Sequence, residues 1–369
     1  MGVGVVSRNG VAAATELAYE ERCRIMLIAS RRQVDGAELG GGYVEGWSTD
    51  AFADYVRARD PSGRVALCRD HGGPWQHPSE LGTDDASAVA SALASYARDL
   101  RAGFELLHID TTATLEGDVE NDAAVERLLR VYAQVAELAE HDGRHVGFEV
   151  SLGAEGAEVT PAAPFAARLR GLIGELGTRG LPIPRFVVTA TGTKVRGRAN
   201  VGAIADRERR SAARPQLKAL ARACRAAGTA LKAHNCDYLG TEGWNTLRGS
   251  GVAAANVAPE YGIAETRALV ELLRSRGLAS AANDFLTMAY DSGAWRKWVR
   301  GAPALPAMEL GLLAGHYLFS TPEGGSIRAL AADELDGGVD ELDERLKACV
   351  KAVIRRHLRA LPRWRRFTR

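Results

Sequence analysis

The stretch Val65-Ala66-Leu67-Cys68-Arg69-Asp70-His71-Gly72-Gly73-Pro74 is an apolar run that ends on an acid beside an imidazole. Such a pair places a proton carrier (Asp70) and a metal ligand (His71) on neighbouring residues. Gly72 and Gly73 would let the backbone come close to a ligand, and Pro74 fixes the exit of the chain. Alone, the triplet is served equally well by a capping aspartate and a surface histidine. Its company changes the weight. Other short apolar runs end on Ser30 and Gln33, His108 and Asp110, Glu149, Thr193 and Lys194, His234 and Asp237, and Asn256, so that three of the eight histidines fall on such ends. Nitrogen and carboxylate donors without a thiolate suit a divalent cation, zinc first, with manganese, cobalt or nickel as alternatives. The expected ligands are His71, Glu149 and His234. Cys236, two residues beyond His234, shares a face with it in an extended chain and is read as a packed thiol.

A cation with an open position beside a carboxylate polarises a ketone and stabilises the enediolate formed when the neighbouring bond breaks. Asp70 would take and return the proton of a substrate hydroxyl, with Glu149 and Asp110 as the other catalytic carboxylates. The loop Thr191-Gly192-Thr193-Lys194-Val195-Arg196-Gly197-Arg198-Ala199-Asn200 combines glycines with three basic side chains, a composition that suits a phosphate. Lys194, Arg196 and Arg198 are the expected anion contacts, and Gln33, Gly72, Thr193, Asp237 and Asn256 the further substrate contacts. This is aldol chemistry on a sugar or sugar phosphate.

A set of residues so far apart in the chain needs a scaffold that gathers strand ends. Apolar runs at about 3–7, 24–30, 64–70, 104–110, 145–151, 184–190, 229–235 and 252–257 alternate with amphipathic segments, which predicts eight βα units. Eight units close a (β/α)8 TIM barrel whose chemistry sits at the carboxyl ends of the strands. Covering helices are expected from Asp84 to Ala102, Ala123 to Glu140, Pro161 to Leu176 and Gln216 to Ala227. Beyond residue 277 the rhythm stops. The segments around Trp295–Trp298, Ala304–Ala314 and Leu342–Leu361 have no matching strands, so residues 1–277 are read as the catalytic barrel and 278–369 as a helical C-terminal extension packed on it.

Composition narrows the partners. The 369 residues carry a net charge of +1, 46% hydrophobic and 25% charged residues, which gives no reason to expect nucleic acid or a membrane. The basic run Arg355, Arg356, Arg359, Arg363, Arg365, Arg366 and Arg369 is expected to be solvated or part of a subunit contact. No apolar run reaches the roughly 18 residues of a membrane span. Met1–Val6 reads as a first strand and not an export signal. Five scattered cysteines without Cys-x-x-Cys spacing fit reduced thiols, hence a cytoplasmic protein.

Four segments together, Asp70-His71-Gly72-Gly73-Pro74, Arg101-Ala102-Gly103-Phe104 leading to His108-Ile109-Asp110-Thr111-Thr112, Lys232-Ala233-His234-Asn235-Cys236-Asp237-Tyr238, and Ala255-Asn256-Val257-Ala258-Pro259, resemble the tagatose-bisphosphate aldolase non-catalytic-subunit family. More distantly they are similar to the class II metal-dependent aldolases. The resemblance implies a proton-carrying role for Asp70, metal ligation by His71 and His234, a counterpart of the family's strand glutamate in Glu149, and a substrate contact at Asn256. It also exposes two departures. The family's other metal histidine, expected in a Gly-Thr-x-His turn, is absent around Gly192-Thr193-Lys194-Val195-Arg196, and the lysine two residues before Asn256 is Ala254. The function implied is a divalent-metal-dependent epimerase of a ketose or ketose phosphate. The alternatives are a ketose-bisphosphate aldolase and a non-enzymatic subunit that stabilises a separate aldolase. A homo-oligomer, or a partner aldolase subunit, is the expected assembly.

Overall fold

The computed structural model describes residues 1–113, 122–299 and 305–360. Among the described residues ten strands form: β1 (Gly2–Gly4), β2 (Ile25–Ser30), β3 (Val65–Gly72), β4 (Leu106–Ile109), β5 (Gly147–Ser151), β6 (Phe186–Val188), β7 (Val195–Arg196), β8 (Ala199–Asn200), β9 (Ala230–Ala233) and β10 (Ala254–Val257). Eight of them close a parallel barrel in the order β1-β10-β9-β6-β5-β4-β3-β2, and β7 with β8 makes a separate antiparallel hairpin. The eight-unit expectation is met at every position. The first strand stops earlier than expected, at Gly4, because Ser7 accepts a hydrogen bond from the Gly10 N–H and starts a helix, which draws Val5 and Val6 into the turn.

The covering helices are α1 (Arg8–Glu20), α2 (Thr49–Arg57), α3 (Asp85–Arg101), α4 (Asp122–His141), α5 (Ala162–Thr178), α6 (Arg207–Ala226), α7 (Thr241–Ser250) and α8 (Pro259–Ser275). Helix α3 begins on the Asp84 cap as the sequence predicts, the carboxylate accepting from the Ser87 N–H at 2.7 Å. Helix α6 starts nine residues before the expected Gln216. Its first turns are too polar to show an apolar stripe, but Asp206 caps them by accepting from the Arg209 N–H.

Period-two alternation decides what the barrel interior holds. Met26, Ile28, Ala66, Cys68, Leu106, Phe186 and Ala254 form one apolar cluster inside the ring, while their neighbours Leu27, Leu67, Leu107, Val187 and Val257 face the helices in the main core. The next inward positions toward the carboxyl ends are therefore Asp70 above Cys68, His108 above Leu106 and Asn256 above Ala254. Apolar side chains line the lower interior, with the buried Lys232 at the level of Ala254, and the acids and imidazoles stand above them.

After Gly277 follow α9 (Ala279–Asp291), α10 (Ala307–Ala314), α11 (Pro322–Asp333) and α12 (Gly338–Ala360). Leu269, Val270 and Leu273 of α8 pack with Phe285, Ile327, Leu342 and Leu346 of these helices, and Val350 and Ile354 of α12 join the barrel's own core. The basic side chains of α12 are not a free solvated face. Lys347 and Lys351 reach Glu16 of α1 at 2.6 and 2.7 Å, Arg355 reaches Glu21 at 3.0 Å, and Arg356 pairs with Glu260. Part-exposed pairs of this kind contribute at most about 1 kcal/mol each, so the buried apolar contacts hold the extension in place. The remainder of the basic run, Arg363 to Arg369, lies outside the described residues, as do Ala304 and Leu361. Among the described residues no helix is long and apolar enough to cross a membrane, and the five cysteines are free thiols.

Candidate metal centre

Adjacent residues of a regular strand point to opposite faces, so Asp70 and His71 could not both serve one site without a break in the strand. The break exists. The pairing of β3 with β4 shifts register between Arg69 and Gly72, and His71 sits at φ +43°, in the left-handed region that non-glycine residues rarely adopt. Both side chains are thereby turned to the barrel mouth. Gly72 and Gly73 are required by packing: a Cβ on Gly72 would meet the Tyr96 ring, and one on Gly73, at φ +112°, would meet the Asp110 carbonyl. Their close approach is to the Tyr96 ring and the Asp110 carbonyl.

Three imidazoles face one another across the mouth. The His71 and His108 ring centroids are 5.3 Å apart, His71 and His234 5.2 Å, and His108 and His234 5.4 Å. Each ring has one nitrogen held by an outer partner: His71 Nδ1 lies 2.7 Å from Asp110, His108 Nε2 2.9 Å from the Ser151 hydroxyl, and His234 Nδ1 2.7 Å from Glu155. Such partners fix ring orientation and tautomer at metal-binding histidines. On the inner side, His234 Nε2 is 2.8 Å from Glu149 and 3.9 Å from Asp70, and His108 Nδ1 is 3.8 Å from Glu149 and 3.7 Å from Asp70. The second Glu149 oxygen accepts from the buried Lys232 ammonium at 2.6 Å.

Two donor sets have all their ligand atoms within 4.8 Å of one another: His71, His108 and His234; and Asp70, His108, Glu149 and His234. The expected trio of His71, Glu149 and His234 is neither of these. His108, on β4, and His234 belong to both. The donor chemistry fits a divalent cation. Four carboxylates (Asp70, Asp110, Glu149 and Glu155) surround neutral-capable imidazoles with one ammonium among them, and the Asn256 Oδ1 is buried without a hydrogen-bond partner.

The metal-free cluster therefore draws protons. Burial works against charge on His234, yet Glu155, Asp70 and Glu149 outweigh it and raise the imidazole to about 9. Burial likewise opposes ionisation of Glu149, and Lys232 with the imidazoles overrides it, holding the carboxyl near 2. Asp70 and Asp110 are pushed well below the ordinary carboxylate range, the imidazoles outweighing desolvation, and His71 is raised well above its ordinary value by Asp70 and Asp110. The sign for stability follows. A histidine raised from 6.5 to about 9 stabilises fully below pH 6.5 and loses that contribution as pH rises through 9. A glutamate lowered from 4.5 to about 2 stabilises above pH 4.5 and loses its contribution as pH falls through 2. Thermal unfolding of the chelator-treated protein is expected to show its highest midpoint between those two limits, declining toward pH 9. Divalent-cation affinity should rise over that same alkaline interval, because the cation displaces the imidazole protons. A flat or opposite trend in calorimetry would contradict this charge arrangement.

The remaining expected contacts divide. Asn256 belongs to the centre, its Nδ2 lying 3.0 Å from His234 Nε2 and 3.2 Å from Asp70. Thr193 is buried and donates to the His234 carbonyl at 2.6 Å, steadying the strand end. Gln33 accepts from the Ser30 N–H and closes the turn after β2. Asp237 accepts from the Ala258 and Glu260 N–H groups at the start of α8; burial, with Glu260 nearby, raises its carboxyl to about 7. Lys194, Arg196 and Arg198 ride on the β7–β8 hairpin, where Arg198 is engaged by Glu309 of α10 at 2.8 Å. Sequence reasoning passed over Lys232 and Glu155. Lys232 was accessible through parity, two residues before His234 on the same face. No periodicity marks Glu155, which sits on an irregular loop.

No protein-family model and no curated protein matches the chain. Among solved structures, it is similar to a probable tagatose 6 phosphate kinase from Sinorhizobium meliloti, with a TM-score of 0.74 at 18% identity over 97% of this chain and 99% of that one. It is also similar to a fructose-bisphosphate aldolase from Campylobacter jejuni, with a TM-score of 0.55 at 12% identity over 98% and 88% of the two chains. A fructuronate-tagaturonate epimerase from Cohnella laeviribosi gives a TM-score of 0.53 at 14% identity over 98% and 81%. At these identities the likeness establishes the fold, a TIM barrel with C-terminal helices. These neighbours are in keeping with the resemblance to the tagatose-bisphosphate aldolase non-catalytic-subunit family.

Proposed function

We propose that the chain is a divalent-metal-dependent epimerase of a ketose or ketose phosphate, working by cleavage and re-formation of a carbon–carbon bond. The observation that carries this reading is that His108 and His234 lie within ligand distance of His71 on one side and of Asp70 and Glu149 on the other. His108 and His234 would hold the cation, with His71 or with Asp70 and Glu149 completing its shell; zinc is the first candidate. When bound, the cation supplies an electrophile that lowers the energy of negative charge on the substrate's carbonyl oxygen.

The chain's own groups do the rest. Asp70 remains a carboxylate at neutral pH and is 13% exposed, so it can meet a substrate hydroxyl. As it takes that proton, the O–H electron pair becomes a new C=O bond and the adjacent C–C pair passes to the carbonyl fragment. The aldehyde turns its other face, the C–C bond re-forms and Asp70 returns the proton. Asn256 orients Asp70 through its Nδ2, and Lys232 fixes Glu149. Re-addition requires both fragments to stay in place. Trp298, bonded through its carbonyl to Gly197, and Glu309, paired with Arg198, bring the C-terminal extension against the β7–β8 hairpin, which supports an epimerase that retains both fragments.

The test is to incubate metal-analysed protein with a panel of ketoses, ketose phosphates and keto-sugar acids in deuterated water and follow stereocentres by NMR. Inversion without solvent label at carbon is expected. Label incorporation would replace the cleavage route by proton transfer, release of a trappable triose would make the chain an aldolase, and no turnover with stoichiometric metal would end the epimerase reading.

A further inference from the structure

Lys297 and Trp298, after α9, contact loops that follow two of the barrel strands. Gly197, in the β7–β8 hairpin that follows β6, donates its N–H to the Trp298 carbonyl at 2.7 Å. Next to Trp298, Lys297 places its Nζ 4.6 Å from the Trp298 ring centroid and 5.1 Å from that of Tyr317. Tyr317 in turn packs on Tyr43 of the loop after β2, with centroids 4.6 Å apart. In the closed strand order β6 and β2 stand on opposite sides of the ring. The Lys297–Trp298 pair thus bridges loops from both sides of the mouth.

Arg32 stands on the same side as Tyr43, whose N–H donates to the Arg32 carbonyl at 3.0 Å. It lies two residues beyond Ser30, the register partner of Asp70. Among the described residues neither Arg32 nor Lys297 takes part in an ion pair. Lys297 has solvent access, yet burial, followed by the charge of Arg32, depresses its ammonium to about 8. The two facts agree if the ammonium sits in a recess open to water, walled by two aromatic rings. Arg32 and Lys297 are joined to the two ends of the Tyr43–Tyr317 contact, and between them lies a place where an oxyanion would gain charge-assisted hydrogen bonds.

We infer that Arg32 and Lys297 form a clamp for a terminal oxyanion of the sugar substrate, a phosphate or a carboxylate, so that the C-terminal extension supplies part of the substrate site. The inference rests on the sugar-epimerase reading for the identity of the ligand, but not for the existence of the anion site. It also differs from the hairpin cluster expected from the sequence, in which Arg198 is already neutralised by Glu309.

Titration calorimetry on the metal-loaded full chain tests it with four probes: inorganic phosphate, a ketose phosphate, a keto-sugar acid and the corresponding neutral ketose. Lys297→Gln and Arg32→Gln are each expected to weaken the anionic ligands by about ten- to hundred-fold while sparing the neutral ketose, and Lys297→Arg to restore binding. A response confined to the phosphate or to the acid identifies which oxyanion is clamped. Unchanged binding in Lys297→Gln and Arg32→Gln, no anion preference in the unsubstituted chain, or failure of Lys297→Arg to restore binding would overturn the clamp. Loss of phosphate binding in the variants of a chain that turns over no ketose would sustain the clamp and end the epimerase reading. Turnover with an unaltered KM in both variants would end the clamp alone.

Discussion

His108→Ala is expected to abolish the divalent-cation binding proposed for the strand ends. His108 is shared by both donor sets at the strand ends, and its Nδ1 stands 3.8 Å from Glu149 and 3.7 Å from Asp70. Loss of an outer partner of a ligand typically weakens metal binding by about ten- to a hundred-fold, so removal of a donor itself should exceed about a hundred-fold. Competition against a chelator, followed by elemental analysis, reads this directly. Ser151→Ala provides the graded comparison, since it removes only the hydroxyl 2.9 Å from His108 Nε2; it should fall within the outer-partner range. A His108→Ala protein that retains full metal occupancy would return ligation to His71, Glu149 and His234, the set expected from sequence.

Asp70→Asn should abolish turnover while leaving the barrel intact. The amide is nearly the same size and its oxygen can still accept from Asn256, whose Nδ2 lies 3.2 Å from the Asp70 carboxylate. What disappears is the group proposed to carry the proton. General-base catalysis accounts for about 10²- to 10⁴-fold in rate, and kcat is expected to fall by that much with little change in KM. Metal content should be measured in parallel, because Asp70 also belongs to one donor set. A variant with nearly full kcat would remove Asp70 from the reaction. A variant whose loss is recovered by excess metal would make it a ligand only.

Much of the scaffold was legible because a parallel barrel writes itself into sequence as a repeated alternation of short apolar runs and amphipathic stripes. The helix from Asp85 to Arg101, with its Asp84 cap, could be read almost to the residue. The beginning of α6 could not, since its first turns are exposed and carry no apolar stripe. At the site, His71, Glu149 and His234 could be singled out because they close apolar runs. Which donors share a cation depends on register: His108 stands opposite Glu149 in the β4–β5 pairing, a neighbourhood set by strand stagger and not by spacing along the chain.

By itself, then, the sequence determined the number of barrel strands, their inward faces and the roster of acids and imidazoles at their ends, because side-chain parity and amphipathic period are local properties of the chain. Tertiary structure decided how that roster is used. A register shift with His71 in the left-handed region turns two adjacent side chains toward one mouth. Closure of the ring brings His108 into the set, and Asp237 and Arg198 are drawn away to a helix start and to Glu309. These outcomes depend on distances between segments far apart in the chain, which are fixed only when the barrel closes and the C-terminal helices settle on it.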